Sequence, residues 1–295
     1  MPDTGPHAVP SARVRALVTT EWLADHLRDP DLRVVDVRWS LDPSRRGRDA
    51  YALGHIPGAV FLDVDADLSG PGGGRGRPRG RHPWPPPEQV ARVMGAAGIG
   101  PGVRVVAYDD QAGATAARLW YVLRAHGHDA VAVLDGGLAK WLAEGRPLDT
   151  SVPSPAPAVF GPRLRPGWVV TKPQVVGRAE GTLVLDARAA ERYRGETEPI
   201  DLRAGHIPGA RHAPYSGNLT TGPVPVFRPA AELRARYAAL GAGRAEPIVY
   251  CGSGVTACHD LLALEVAGLG GRLYAGSWSE WSADPDLPVA TGAEP

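Results

Sequence analysis

Two tandem α/β domains, each a mainly parallel sheet flanked by helices, are what this sequence predicts. Three observations carry that expectation: the chain repeats itself, short β-branched runs alternate with helical patterns, and a proline-rich stretch divides the copies. At 295 residues the length suits about two domains of ~150 residues, each large enough to bury its own core.

The repeat is read from four blocks in one order. Val-Val-Asp-Val-Arg at 34–38 returns as Val-Leu-Asp-Ala-Arg at 184–188, and Gly-His-Ile-Pro-Gly-Ala at 54–59 returns unchanged at 205–210. Val-Val-Ala-Tyr-Asp at 105–109 is answered by Pro-Ile-Val-Tyr-Cys at 247–251. Asp135-Gly136-Gly137 with Trp141 is answered by Ala275-Gly276-Ser277 with Trp281. The spacing of 140 to 151 positions is far longer than a solenoid repeat of ~20–50 residues, so whole domains are duplicated.

Runs at 32–37, 103–108, 131–134, 182–185, 248–250 and 272–274 read as buried strands. The patterns at 21–28, 87–97, 114–126, 229–240 and 255–267 read as helices. Alternation of the two types predicts helices over both faces of a parallel sheet, with chemistry on loops at the carboxyl ends of strands. Pro153, Pro155 and Pro157 keep the chain extended between the copies. The expected division is 1–148, a linker over 149–167, and 168–295.

Thirty-two basic and 32 acidic residues balance, which argues against a polyanionic partner. The Gly- and Arg-rich stretch over 70–87, with Arg75, Arg77, Arg79 and Arg81, therefore reads as a flexible surface loop and not as a nucleic-acid arm. No run of ~18 apolar residues occurs and residues 1–18 lack a signal-type apolar stretch, so a cytoplasmic protein without a membrane partner is expected. Cys251 and Cys258 are too few for a disulfide framework and lack metal-type spacing. A bridge between them is geometrically poor, and Cys258, inside a predicted helix, reads as structural.

The chemically pointed segment is Tyr-Cys-Gly-Ser-Gly-Val-Thr-Ala at 250–257, between an apolar strand and a helix. Its glycines let backbone N–H groups converge into an anion-binding nest, whose positive end stabilises a thiolate. A thiolate is a nucleophile able to take sulfur from a donor and to hold it as a persulfide. The competing reading is a buried core cysteine.

The whole pattern resembles the tandem-domain rhodanese family, the thiosulfate and 3-mercaptopyruvate sulfurtransferases. The resemblance runs from about Val18 to Trp281 and rests on the paired Gly-His-Ile-Pro-Gly-Ala blocks, the Cys251 loop and Gly-Ser-Trp-Ser-Glu-Trp at 276–281. It implies an inactive first domain, where Asp109 stands in the nucleophile's place, and a second that works through Cys251. It implies that Arg192 and the loop residues Gly252, Ser253, Gly254, Val255 and Thr256 bind the donor. Ser253, His55 and Asp49 match positions proposed to handle protons. The loop lacks the cations that follow the cysteine in thiosulfate-type enzymes, which favours 3-mercaptopyruvate. A second family arginine is missing, because Ile200 follows Glu198-Pro199, and Arg203 is the nearest replacement. Arg188, directly after the Asp186 strand end, is expected to hold the domain together through an ion pair.

The resemblance further implies no cofactor or metal, and an acceptor such as cyanide or a thiol like that of thioredoxin. The alternatives are a thiosulfate-preferring enzyme and a non-catalytic sulfur-carrier or binding module. A cysteine phosphatase is disfavoured, since Ala257 stands where its phosphate-binding arginine would be.

Overall fold

The computed structural model describes residues 15–295. The first half runs β1 (Leu17–Val18), α1 (Thr20–His26), β2 (Leu32–Asp36), α2 (Gly47–Leu53), β3 (Val60–Phe61), α3 (Pro87–Ala96), β4 (Arg104–Tyr108), α4 (Ala116–Ala125), β5 (Val131–Leu134) and α5 (Gly137–Ala143). The second runs β6 (Val169–Val170), α6 (Lys172–Val176), β7 (Val184–Asp186), α7 (Ala190–Tyr193), β8 (Ala210–His212), a 3-10 turn (Tyr215–Asn218), α8 (Ala230–Ala239), β9 (Ile248–Tyr250), α9 (Ala257–Val266), β10 (Arg272–Tyr274) and α10 (Ser277–Trp281). Each half forms a five-stranded sheet, ordered β1-β5-β4-β2-β3 and β6-β10-β9-β7-β8. Every ladder is parallel. The duplication read from the sequence is thus a duplication of topology.

Side chains of successive strand residues point to opposite faces, and the packing follows. Val35, Val105 and Ala107 join one apolar core, while Val34, Val106 and Tyr108 join another on the sheet's other face. The first of these cores continues through Leu185, Val249 and Leu273 of the second sheet. What joins the halves is the contact between α4 and α9, the helices that follow the two equivalent loops. All ten residues of α4 are buried, as are residues 257–264 of α9. A helix buried along its length is covered on all sides, and each of these lies between its own sheet and its counterpart.

Residues 151–165 adopt no regular structure but remain attached to the first half. The Ala158 amide donates to the Gly95 carbonyl (2.9 Å), and the Arg163 amide donates to that of His126 (2.9 Å).

The paired motifs build the same clip twice. Arg38 donates to Asp36 (2.6 Å) and to the Gly54 carbonyl (2.8 Å). Arg188 donates to Asp186 (2.6 Å) and to the Gly205 carbonyl (2.6 Å). Tyr108 and Tyr250 each accept the backbone N–H of the isoleucine in the Gly-His-Ile-Pro block at 3.1 Å. A strand end is thereby fastened to the turn that feeds its neighbour, and Arg188 forms the expected ion pair.

One group in α9 makes stability depend on pH. Asp260 is fully buried, accepting from Asn218 Nδ2 at 2.6 Å through Oδ1 while Oδ2 has no partner. Burial pushes its carboxyl up to about 7, against about 3.9 in an unfolded chain. The folded state holds the proton more tightly, so its stabilising contribution is complete below pH ~4 and is lost as pH rises through ~7. Asp260→Asn is therefore expected to gain on the wild type across that window, by roughly 2–6 °C in melting temperature at pH 7.5 compared with pH 4.5. Thermal melts at the two pH values check this; parallel behaviour of the two proteins would mean Asp260 does not titrate there.

Candidate active site

Cys251 follows β9 directly, at the carboxyl end of a central strand, and is 2% exposed. Its Sγ accepts the Gly254 amide at 3.1 Å, and its own amide donates to Ser277 Oγ at 3.2 Å. Gly254 has φ +78°, and a Cβ there would lie 2.5 Å from the Ala275 carbonyl oxygen, so only glycine turns the loop this tightly. Ser277 beneath the cysteine has φ +54°, a costly conformation for a non-glycine residue and one that concentrates at functional sites.

The first domain holds the same loop with its anion built in. The Asp109 carboxylate accepts amides from Gln111 (2.8 Å), Gly113 (2.9 Å), Thr115 (2.7 Å) and Ala116 (2.8 Å). Ala112, the counterpart of Gly254, likewise has positive φ, +53°. A carboxylate there satisfies the nest but cannot carry a sulfur atom.

A cavity of about 380 Å³ opens on Cys251, between the domains. Trp39, Arg81 and Gln111 line it from the first; Arg192, Tyr215 and the loop residues Gly252, Ser253, Val255 and Thr256 line it from the second. Arg192 is held by Glu198 (2.8 Å) and Asp201 (3.0 Å).

The polar chain beside the cysteine differs from the one expected. Ser253 Oγ lies 2.7 Å from His82 Nδ1, and His82 Nε2 lies 2.8 Å from Asp65 Oδ1. The carboxylate fixes the tautomer: Nε2–H donates to Asp65, and Nδ1 accepts from the serine hydroxyl. Burial lowers the His82 pKa against the opposing pull of Asp65, and the bond from His82 lowers that of Asp65. Neutral imidazole beside carboxylate is thus the resting state at pH 7. Trp39 Nε1 also donates to Asp65 (2.8 Å), steadying the carboxylate.

Three expectations need correcting. His55 does not reach this cavity: it is fully buried, stacked on Tyr51 at 4.0 Å, with ring nitrogens bonded to the Tyr51 and Ser151 carbonyls. His206 stacks on Tyr193 at 3.9 Å in the same way, so the motif histidine is a packing residue in both copies. Asp49 does not line the Cys251 cavity but a neighbouring pocket, with Ser44 and Arg45, that shares Trp39, Ser40 and Gln111 with it. Arg203 is spent on the carbonyls of Trp281, Ser282, Asp284 and Leu287.

The stretch over 70–87 is exposed at 71–73 and 75–79, as a surface loop would be, but its end is not free. It brings His82 (4% exposed) and Arg81 into the cleft, with the Arg81 amide donating to Ser279 Oγ at 3.0 Å. Beneath it Arg118 of α4 is fully buried and donates to the carbonyls of Leu68, His82, Pro83 and, at 3.0 Å, Gly254. One guanidinium thus ties both the histidine segment and the cysteine loop to the first domain. Cys258 lies underneath, its Sγ donating to the Gly254 carbonyl at 3.3 Å, and burial pushes its thiol up to about 12. It is a structural cysteine.

Residues 19–144 and 173–284 each match the family model for the rhodanese-like domain. The chain belongs to the rhodanese family. Among its relatives is a probable 3-mercaptopyruvate sulfurtransferase of Pseudomonas aeruginosa, 46% identical over 94% of this chain and 98% of that one. A thiosulfate sulfurtransferase of Cricetulus griseus is 36% identical over 94% and 96%. Among solved rhodanese structures, SseA from Escherichia coli, of the 3-mercaptopyruvate class, superposes with a TM-score of 0.79 at 32% identity, covering 90% of this chain and 99% of that one. Among the described residues of this rhodanese, no helix is long and apolar enough to cross a membrane, and no cluster of three or more His, Cys, Asp or Glu is arranged to hold a metal.

Proposed function

We propose that the protein is a 3-mercaptopyruvate sulfurtransferase that carries sulfur on Cys251. The observation carrying this reading is the Ser253–His82–Asp65 chain beside the nucleophile, in a loop without cationic side chains. A mercaptopyruvate donor needs a proton moved; thiosulfate does not. The Cys251 thiolate attacks the donor's thiol sulfur, the carbon–sulfur bond breaks, and its electron pair leaves on the enolate of pyruvate. Ser253, with His82 as its base, takes the proton from the donor sulfur and delivers it to the enolate carbon. Atoms and charge balance: a thiolate and a mercaptopyruvate become a persulfide anion and a pyruvate. Arg192 and the loop from Gly252 to Thr256 hold the donor, and the loop amides stabilise the persulfide. Cyanide or a cytoplasmic thiol such as that of thioredoxin then removes the outer sulfur.

The runner-up is a thiosulfate-preferring enzyme, favoured by Arg81 and Arg192, which line the cavity together with Arg188. Steady-state kinetics with both donors and cyanide as acceptor decide between them. A kcat/KM at least tenfold higher for 3-mercaptopyruvate is expected. Preference for thiosulfate would assign the runner-up, and turnover of neither would reduce the protein to a binding module.

A further inference from the structure

Position 200 is isoleucine, so apart from Arg188, which is spent on Asp186, Glu198 and the Gly205 carbonyl, the second domain offers the donor site one arginine where the resemblance implies two. The cavity nevertheless contains a second guanidinium, and it comes from the other domain. Arg81 pairs through Nη1 with Asp201, the residue after Ile200, and Asp201 also accepts from Arg192 Nη2 at 3.0 Å. One carboxylate therefore sets both arginines side by side. A Cβ on Gly252 would lie 2.7 Å from Arg81 Nη2 and 3.4 Å from Arg192 Nη1, so the two groups flank the residue next to the nucleophile. Those two nitrogens take no part in the bonds to Glu198 and Asp201. Arg81 Nε is moreover a buried donor with no partner, an omission that costs free energy until something accepts from it.

We propose that Arg81 is the second donor-binding arginine of this enzyme, supplied across the domain interface in place of the one missing at position 200, and that it selects donors bearing a carboxylate. Nε and Nη2 of a guanidinium form the fork that a carboxylate accepts in bidentate fashion. Arg192 Nη1 closes the site from the other side. Asp201 is the positioning residue that holds the pair in register.

The inference rests on the donor reading above. Its test compares 3-mercaptopyruvate with mercaptoacetone, the same thiol ketone without a carboxylate, using cyanide as acceptor. In the wild type the ratio of kcat/KM for the two reports carboxylate recognition. Arg81→Met is expected to lower that ratio at least tenfold, chiefly through KM for 3-mercaptopyruvate. Adding Ile200→Arg to Arg81→Met is expected to restore part of it. Arg81→Lys keeps the charge but loses the fork; should the methionine variant not fold, a threefold or greater rise in KM for 3-mercaptopyruvate is expected there. An unchanged ratio in Arg81→Met, or an unchanged KM in Arg81→Lys, overturns the proposal while leaving the donor reading intact. Failure of the wild type to use 3-mercaptopyruvate at all would instead remove the donor reading on which both depend.

Discussion

Cys251→Ser is expected to abolish sulfur transfer from every donor, with a loss on the order of 10⁴-fold or more, while the protein stays folded. A serine hydroxyl is a poor nucleophile toward sulfur and cannot hold a sulfane atom. The substitution is nearly isosteric and keeps an acceptor for the Gly254 amide, which lies 3.1 Å from Sγ, so thermal unfolding should change little. Intact-mass measurement after exposure to donor tests the point directly. The wild type should gain one sulfur atom and the variant none. A variant that still gains sulfur would transfer the role to Cys258, against the burial that keeps that thiol protonated.

The second large effect separates two donors within one variant. His82→Gln and Ser253→Ala are each expected to lower kcat with 3-mercaptopyruvate by about 10²–10⁴-fold, the usual contribution of a positioned acid–base group. The loss with thiosulfate should be far smaller, because sulfite departs without a proton. The pH profile adds a further expectation. The relay needs neutral His82, and burial lowers its pKa. Activity should therefore hold level through the range near 6.5 where an ordinary histidine gains its proton, and fall only at more acid pH. Equal losses with both donors would show that Ser253 and His82 merely brace the cysteine loop.

The fold was legible because duplication doubles every signal. The Asp-x-Arg strand ends, the Gly-His-Ile-Pro turns and the apolar strands each occurred twice, and each proved to do the same physical job twice. What escaped reading was short. β1, β3 and β6 have two residues each, β8 three, α7 four, and α6 and α10 five, too few for a period to emerge; α2 and α5, of seven residues each, escaped as well. The place of the strands is set by neighbours already in the sheet.

Half of the site was legible as well. A cysteine between an apolar strand and a glycine-rich helix start is a local pattern, and local patterns survive in sequence. The relay is not local: Asp65, His82 and Ser253 meet only after the domains dock. The segment holding His82 resembles solvated chain, because glycine and arginine dominate it up to Arg81. Two signals pointed the other way. Asp65 follows soon after the residues of β3, at the carboxyl end of a strand. His82 and Trp84 are the first ring-bearing side chains after the glycines, in a run stiffened by Pro83, Pro85, Pro86 and Pro87. His55 stands in a motif that occurs twice, and its duplicate, His206, has the same stacked, carbonyl-bonded ring.

Arg118 ties the cysteine loop to the first domain through the Gly254 carbonyl, and this bears on how the protein is made. The N-terminal half leaves the ribosome first and domains tend to fold in that order. The segments that carry His82, Arg81 and Arg118 are then already made when residue 251 emerges. The cysteine loop thus arrives after the first-domain side of the site, and residues that follow it complete its geometry, with Ser277 accepting the Cys251 amide and Ser279 accepting that of Arg81. The carrier site therefore exists only when both halves of the duplicated fold are present, since the thiol and Arg192 lie in one half and His82, Asp65 and Arg81 in the other.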